Sequence, residues 1–515
     1  MKQARTKTQA EVERCWPSIG TIAPCQNSCP LDVNVPSYIM ALAHGNFDQA
    51  LSVITENNPF AAVCGRVCNH PCEDACLRGE IDQPISIRAL KRYITDNVPR
   101  NRDMPIKRTE PSRREKVAVI GSGPAGLTAV HDLALLGYPV TLFEALPVLG
   151  GMLNIGIPEF ILPREVLHSE ISAIEGPSIE IKTGSALGKE FGLDDLFQQG
   201  YKAIFLSIGA QLSSKLNLAG IDLPGVFYAL PFLREANMQR PVKLTGKVAI
   251  IGGGNVAIDC ARVAIRSGAS EVNITCLESR TDMPAFPWEI ERAEEEGIKM
   301  NPSLAPQTII ASNGQIAAIE LSPVESIVFD NEGRIKPVIG KGQTIVMDTD
   351  SVIVAIGQTR DLSCLDGKKE VAMSNDYTVL IDPDTLATSI PGVFAGGDIT
   401  NVATVVDAVA AGKKAAISVN KYLSGMYLPS VLPTVQKQVV TPDKSSLPQF
   451  VAHRQRADMP LLPHSQRISS YVEVETGLSR ESAVAEASRC LNCSVCGNCI
   501  FDRSQMCYET ANRLF

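Results

Sequence analysis

A chain of 515 residues with 48 basic and 56 acidic side chains, net charge −8, has the length of about three domains and no basic excess for a nucleic-acid partner. No run of 18 apolar residues appears, which argues against a membrane-spanning helix, and the polar opening MKQARTKTQAEVER lacks the apolar core of a secretory signal. Fifteen cysteines stand out: seven lie in residues 15–76, five in 490–507, and only Cys260, Cys276 and Cys364 between. Such end-clustering is unlike a secreted disulfide framework and points to metal or iron–sulfur sites in a reducing cytoplasm.

Residues 1–99 read as a helical cysteine module. Cys25-x3-Cys29-Pro30 is followed by helical stretches from Pro36 and near Asn46, then by Cys64, Cys68, Cys72 and Cys76 at intervals of four. That interval could stripe one helix face, but Gly65 and Pro71 favour loops, which suit thiolates converging on an iron–sulfur cubane. Zinc is the structural alternative. His70 is expected beside the ligands rather than among them. Residues 100–116, basic and proline-punctuated, read as a linker.

Val117–Ile120 is an apolar run with the length and β-branching of a buried parallel strand. Gly121, Gly123 and Gly126 follow at G-x-G-x-x-G spacing, with Pro124 and Ala125 opening a helix whose N–H groups can face a pyrophosphate. Pro139–Phe143 is the next strand, and Glu144 at its end can accept the ribose hydroxyls of an adenosine. Leu149-Gly150-Gly151 and the late Val393–Asp398 segment complete the pattern. Tyr201–Ala210 reads as a buried strand ending in a small-residue turn. Lys247–Arg262 repeats strand, glycine turn and helix, with Gly252, Gly254, Asn255 and Val256, and with Ala257 in place of the third glycine. The strand Glu271–Leu277 ends beside Glu278 and Arg280. Residues 286–297 read as an acidic, solvated helix, and residues 350–358, with Gly357, as the return from the second fold. A helix from Thr404 follows Asp398. Residues 430–470 read as an extended arm, and a short helix capped by Ser479 delivers Cys490, Cys493, Cys496, Cys499 and Cys507. Iron–sulfur again leads zinc there, and which four of the five bind is open. Cys260 and Cys276 read as small core residues.

The order of these motifs, with Pro84–Arg92 between the cysteines and the first fingerprint, resembles the glutamate synthase small-subunit family over residues 20–425. The same module occurs in the N-terminal half of dihydropyrimidine dehydrogenase and in NADH-dependent ferredoxin:NADP oxidoreductases. The resemblance implies an α/β protein with two Rossmann-like dinucleotide-binding domains, a helical N-terminal iron–sulfur module (1–99) and a C-terminal cysteine-rich arm (429–515). FAD would occupy residues 117–224 and 356–428, with Gly397 and Asp398 as contacts and the Thr404 helix facing the flavin. NAD(P)H would occupy residues 225–355. Metal ligands would be Cys25, Cys29, Cys64, Cys68, Cys72 and Cys76. The chain departs from the family's eight-ligand set: Cys15 is isolated, the early C-x2-C is missing, and Lys91 stands where one member uses a glutamine ligand. One or two N-terminal [4Fe–4S] clusters and one C-terminal cluster are expected. The family's NADP-using members carry paired arginines at the positions of Leu277 and Glu278. A carboxylate repels a 2′-phosphate, so NAD(H) is expected over NADP(H), with Arg280 as the counter-argument.

The chemistry implied is hydride transfer from NADH to flavin, followed by single-electron transfer to clusters, with no protein acid, base or nucleophile as catalytic residue. A partner redox subunit or ferredoxin would complete a cytoplasmic hetero-oligomer, with a hydrogenase, a formate dehydrogenase or a bifurcating complex as candidates. The alternatives are an NADPH-dependent glutamate synthase small subunit and a non-catalytic scaffold that holds clusters.

Overall fold

The computed structural model describes residues 21–99, 111–240, 242–329, 335–365, 371–374, 377–426, 438–439 and 452–493. Cys15, Cys496, Cys499, Cys507 and most of the basic linker lie outside them. Two five-stranded parallel sheets form the centre. The first runs Val393–Ala395, Tyr201–Leu206, Lys116–Ile120, Val140–Phe143, Ile179–Lys182. The second runs Lys299–Asn301, Glu271–Thr275, Lys247–Ile251, Ser351–Val354, Val226–Tyr228. In each, the strand before a glycine turn is central and buried, as its continuous apolar run demands. The chain leaves the first fold after Tyr201–Leu206 and returns after Ser351–Val354. At that crossover Leu212–Ser213 pairs antiparallel with Gln358–Thr359. An antiparallel sheet built on Leu304–Ser312 and Gln315–Phe329 covers one face of the second fold.

The N-terminal module contains helices Val35–Ala43, Phe47–Asn57, Ala61–Val67 and Ile87–Asn97. Its core is continuous with that of the first fold: Tyr38, Ile39, Leu42, Ile54 and Leu90 share one buried cluster with Val117, Leu127, Val130, Leu142 and Phe205. The cysteine run is neither one helix nor a loop. Cys64 lies in Ala61–Val67, Cys68 caps that helix, and His70 breaks direction at φ +44°. Cys72 then lies in the short helix Pro71–Asp74, and Cys76 precedes a 3-10 turn. Pro71, which cannot continue a helix but can begin one, sets the break.

Residues 452–493 are docked on the module. Leu478, Ala483 and Ala487 join its core, and Glu473 and Glu475 reach its arginines. Further back, Gln438–Val439 pairs in parallel with Thr21–Ile22. The segment 286–297 also differs from its reading as a solvated helix. Its helix spans Pro287–Glu295, and the following Glu296 is buried between Arg262 (2.8 Å) and Arg266 (2.7 Å). Among the described residues no helix is long and apolar enough to cross a membrane.

Candidate redox site

The three glycines of the first turn serve different ends. Gly121 holds φ +99°, and a Cβ there would lie 2.5 Å from the Ser207 carbonyl oxygen. At Gly126 a Cβ would overlap the carbonyl oxygen of Gly121, so only glycine lets the helix Pro124–Leu135 sit this close to its strand. A Cβ on Gly123, the residue that caps this helix, would meet nothing within 4 Å. That open space above a helix N-terminus is what a pyrophosphate needs. Gly151 (φ +52°) approaches so closely that its Cβ would be 2.9 Å from the Gly123 Cα, and one on Gly397 (φ +74°) would be 3.2 Å from the Ala125 Cβ. Gly121–Gly126, Gly151 and Gly397 therefore border one opening.

Glu144 is buried at its rim. One carboxylate oxygen accepts from the Ser122 N–H (2.9 Å) and hydroxyl (2.6 Å), the other from the Leu146 N–H (2.7 Å). A carboxylate offers about four lone-pair sites, so about one remains for a ribose hydroxyl. Asp398 accepts from the Ala403 N–H (3.3 Å), and its own carbonyl accepts from Arg360 Nε (2.7 Å). Burial raises the Asp398 carboxyl above its ordinary range, and that N–H and Arg360 only partly oppose this. Thr404 caps the helix Val405–Leu423, its N–H and hydroxyl both donating to Asp407. That helix crosses the first fingerprint helix at Gly412, where a Cβ would overlap the Ala125 carbonyl.

The second turn repeats the geometry. Gly252 holds φ +135° against the Ala355 carbonyl, and Gly254 opens the helix Asn255–Arg266 with nothing within 4 Å of where its Cβ would stand. Asn255 Oδ1 accepts from the Phe286 N–H (2.9 Å), Val256 packs against the core, and Ala257 is fully buried. Glu278 lies against the turn, one carboxylate oxygen 3.2 Å from the Cβ position of Gly253. Beside it, burial and then the Glu278 charge push the Cys276 thiol up to about 12. Arg280 is exposed and paired with Glu294 (2.7 Å). Gly357 (φ +116°) sits at the crossover, its carbonyl accepting from the Ser214 N–H (3.0 Å).

The described cysteines other than Cys260, Cys276 and Cys364 gather at the module in two groups. Around the buried Lys91 ammonium stand Cys68, Cys64, Cys72 and Cys29. Burial alone would lower its pKa, and the charge of those thiolates outweighs burial and raises it. Around Cys25 stand Cys490, Cys76 and Cys493, and next Cys72 of the first group, the neighbours that add to the rise caused by burial. The sequence reading set Cys490 and Cys493 apart at the far end of the chain; they lie instead against the N-terminal module.

Several features suit iron–sulfur clusters. The donors are all thiols. The His70 N–H donates to Cys68 Sγ and the Asn492 N–H to Cys490 Sγ, each at 3.4 Å, as N–H groups do around cluster sulfur. The fully buried Tyr38 hydroxyl has no hydrogen-bond partner, and Cys72, Cys29 and Cys25 are close enough to raise its pKa beyond the effect of burial. A cluster sulfur between the groups would satisfy that donor. A single zinc would require sulfurs about 3.8 Å apart, and among the described residues no three Cys, His, Asp or Glu side chains could hold one ion. A cubane places each thiolate on a different iron and spreads them wider.

The sequence reading missed several residues of this region. Glu170 accepts from the Ala62 and Val63 N–H groups (both 2.9 Å), tying the first fold to the Cys64 helix. Arg164 donates to three carbonyls of residues 153–162 and fixes the loop after Gly151. Trp288 stacks on Phe286 and reaches His70, with ring centroids 4.5 Å apart, joining the second fold to the cysteine run. Glu170 and Trp288 carry no local sequence signal, because each reaches a residue distant in the chain, and Arg164 acts on backbone carbonyls, which no residue type announces.

Residues 115–412 match the pyridine nucleotide-disulphide oxidoreductase family, and residues 1–103 match the 4Fe-4S domain described as dihydropyrimidine dehydrogenase domain II. A relative named NADP(+)-dependent formate dehydrogenase subunit beta, from Moorella thermoacetica, is 40% identical over 504 residues, covering 92% of this chain and 70% of that one. The Escherichia coli glutamate synthase [NADPH] small chain is 31% identical over 436 residues, 81% of this chain and 92% of its own. Mycobacterium tuberculosis FprA, solved in complex with NADPH, shares the fold at TM-score 0.51 and 18% identity, over 61% of this chain and 85% of that one. With two glycine turns on parallel sheets and a thiol-rich module fused to the first, the chain belongs to the pyridine nucleotide-disulphide oxidoreductase family, in its glutamate synthase small-chain-like branch, and is an NAD(P)H-dependent FAD and iron–sulfur oxidoreductase.

Proposed function

We propose that this chain is the NADH-handling subunit of a larger redox complex, moving electrons between NADH, FAD and [4Fe–4S] clusters and, through them, a partner subunit or ferredoxin. When bound, flavin and clusters supply the conversion between two-electron and one-electron transfer. The protein's part is binding and orientation. Gly123 and Gly254 leave space for two pyrophosphates, each above a helix N-terminus. Ser122 and Leu146 hold the Glu144 carboxylate ready for the first ribose. Asp398, fixed by Ala403, faces the flavin side, and Cys25, Cys29, Cys64, Cys68, Cys72 and Cys76 hold iron.

The observation that carries this reading is the single apolar core running from the first nucleotide fold into the cysteine module. It fixes the flavin fold to the thiolates without a hinge. NADH is preferred because Glu278 lies on the second turn while Arg280 is paired with Glu294. NADPH is the second reading, favoured by the names of the Moorella and Escherichia relatives. The subunit names of those two relatives support a hetero-oligomer.

The test is dye reduction by the isolated, flavin-loaded chain with each nucleotide. NADH should have the higher kcat/KM, and Glu278→Arg should move the NADH:NADPH ratio towards NADPH by about a hundredfold, near 3 kcal/mol. Higher efficiency with NADPH in the parent chain would overturn the nucleotide assignment. No dye reduction with either would overturn the function.

A further inference from the structure

We propose that Cys490 and Cys493 complete, with Cys25 and Cys76, the thiolate set of one [4Fe–4S] cluster on the N-terminal module, so that the C-terminal cysteine run closes a centre of that module. This rests on the iron–sulfur reading above and says which residues hold the second cluster.

The described cysteines of the module divide by position. Cys64 in the helix Ala61–Val67, Cys68 at its end and Cys72 in Pro71–Asp74 lie with Cys29 beside Lys91 of the helix Ile87–Asn97 and offer one set of four, of which Cys72 also neighbours Cys25 where Pro24–Asn27 packs on Pro71–Asp74. Cys25 and Cys76 are left over, the first in the short helix Pro24–Asn27 and the second at the entry to the turn Leu77–Glu80. Two thiolates cannot hold a cubane. The missing pair arrives on the helix Arg480–Ala487, which starts at Ser479, whose hydroxyl accepts from the Ser482 N–H (3.1 Å), and buries Ala483 and Ala487 in the module core.

The approach is fixed by buried charge. Glu486 accepts from the Ser86 N–H (2.9 Å). Arg489 donates to Glu486 (2.6 Å), to Asp82 (2.8 Å) and to the Gln83 carbonyl (2.7 Å). The Arg489 carbonyl in turn accepts from Arg78 Nη1 (3.1 Å). Arg78 is two residues from Cys76 and Arg489 is one from Cys490, so this bond ties the two cysteine-bearing segments together. Between the pair, Asn492 takes φ +51° and its N–H donates to Cys490 Sγ. That left-handed step turns the backbone sharply between the two thiols. Cys490 is half-buried and Cys493 buried, and Cys76 is a charged neighbour of both. The four sulfurs thus form one neighbourhood assembled from both ends of the described chain.

The test uses the full chain purified anaerobically, with iron, sulfide, zinc and flavin counted per chain and the reduced protein examined by electron paramagnetic resonance. Cys490→Ser/Cys493→Ser should lose about four irons and one of two cluster signals. Cys25→Ser/Cys76→Ser should lose the same signal. The fourfold variant should lose no more iron than either double. Cys496→Ser/Cys499→Ser should keep both signals. Retained flavin absorbance reports that a variant has folded. For any variant that loses flavin, alkylation of the parent chain decides: Cys25, Cys76, Cys490 and Cys493 should be protected together and released together on chelation. Additive iron losses from the two double variants would overturn the proposal, as would separate release of the two pairs, or zinc in place of the second cluster. A parent chain with flavin but no iron at all would instead overturn the iron–sulfur reading itself.

Discussion

The two nucleotide folds share a turn geometry but are joined to the cysteine module by opposite means. The first is fused through apolar packing and one buried carboxylate, Glu170, capping the Cys64 helix. The second has its own core and meets the module largely through charge and the docked segment. Glu475 bridges Arg88 and Arg92 of the module to Arg292 of the second fold, and Glu473 pairs with Arg66 and Arg92. Apolar junctions resist salt and mild acid, whereas ionic ones respond to both. The difference teaches that the flavin fold and the thiolates form one unit, and that the nicotinamide fold is attached to it by a titratable clasp.

The largest expected effect breaks the first junction. Glu170→Ala leaves two buried N–H groups without a charged acceptor and should destabilise the chain by about 4 kcal/mol in urea unfolding, with flavin and iron lost together. Breaking the clasp should cost less and leave flavin in place. Glu475→Gln strands buried guanidinium groups at a cost of about 3 kcal/mol and should open residues 452–493 to protease.

The clasp also predicts a pH response. Burial pushes the Glu475 carboxyl up, but Arg88 and Arg292 outweigh it and hold it well below the usual carboxylate range. Its folded pKa therefore lies beneath the unfolded value of about 4.3. Its contribution is complete above about pH 5 and lost as pH falls below about 4. Glu473, whose carboxyl burial raises, works the other way and softens the slope. Glu475→Gln should flatten the acid limb of the stability profile.

The turns themselves give a paired test. Gly126→Ala forces a Cβ onto the Gly121 carbonyl and should abolish flavin retention at about 3 kcal/mol, whereas Ala257→Gly at the matching position should cost about 1 kcal/mol and leave NADH oxidation nearly intact. The smallest effect is electronic. Lys91→Met removes a buried cation beside Cys68 and Cys64 and should lower one cluster's potential by about 60 mV, read in a redox titration.

Much of the nucleotide architecture was legible because it is local. Gly121 to Gly126 and Gly252 to Ala257 each encode strand, turn and helix within a dozen residues, and both parallel sheets follow from the apolar runs beside them. Charged residues misled. The segment around Glu296 reads as a wet surface, yet Glu296 pairs with two arginines in a core; polarity alone does not reveal a partner distant in sequence. The placement of Cys490 and Cys493 was hidden for the same reason. Their spacing suggests a self-contained motif, and only the Arg78, Asp82 and Arg489 bonds reveal where they dock. Glu144 was legible in type, but its Ser122 and Leu146 donors were not.

The docking of Glu473 and Glu475 onto Arg66, Arg88 and Arg92 has a consequence for biogenesis. At about 5–20 residues per second, a ribosome exposes those arginines some tens of seconds before Glu473 and Glu475 are made, with Asp96 as the earlier counter-ion of Arg66 and Arg92. Until then the nascent module carries more buried cations than its own carboxylates at this junction can pair. Docking of residues 452–493 on the module is thereby deferred until late in translation, and a chaperone or scaffold that shields the early segment would have a defined interval in which to act.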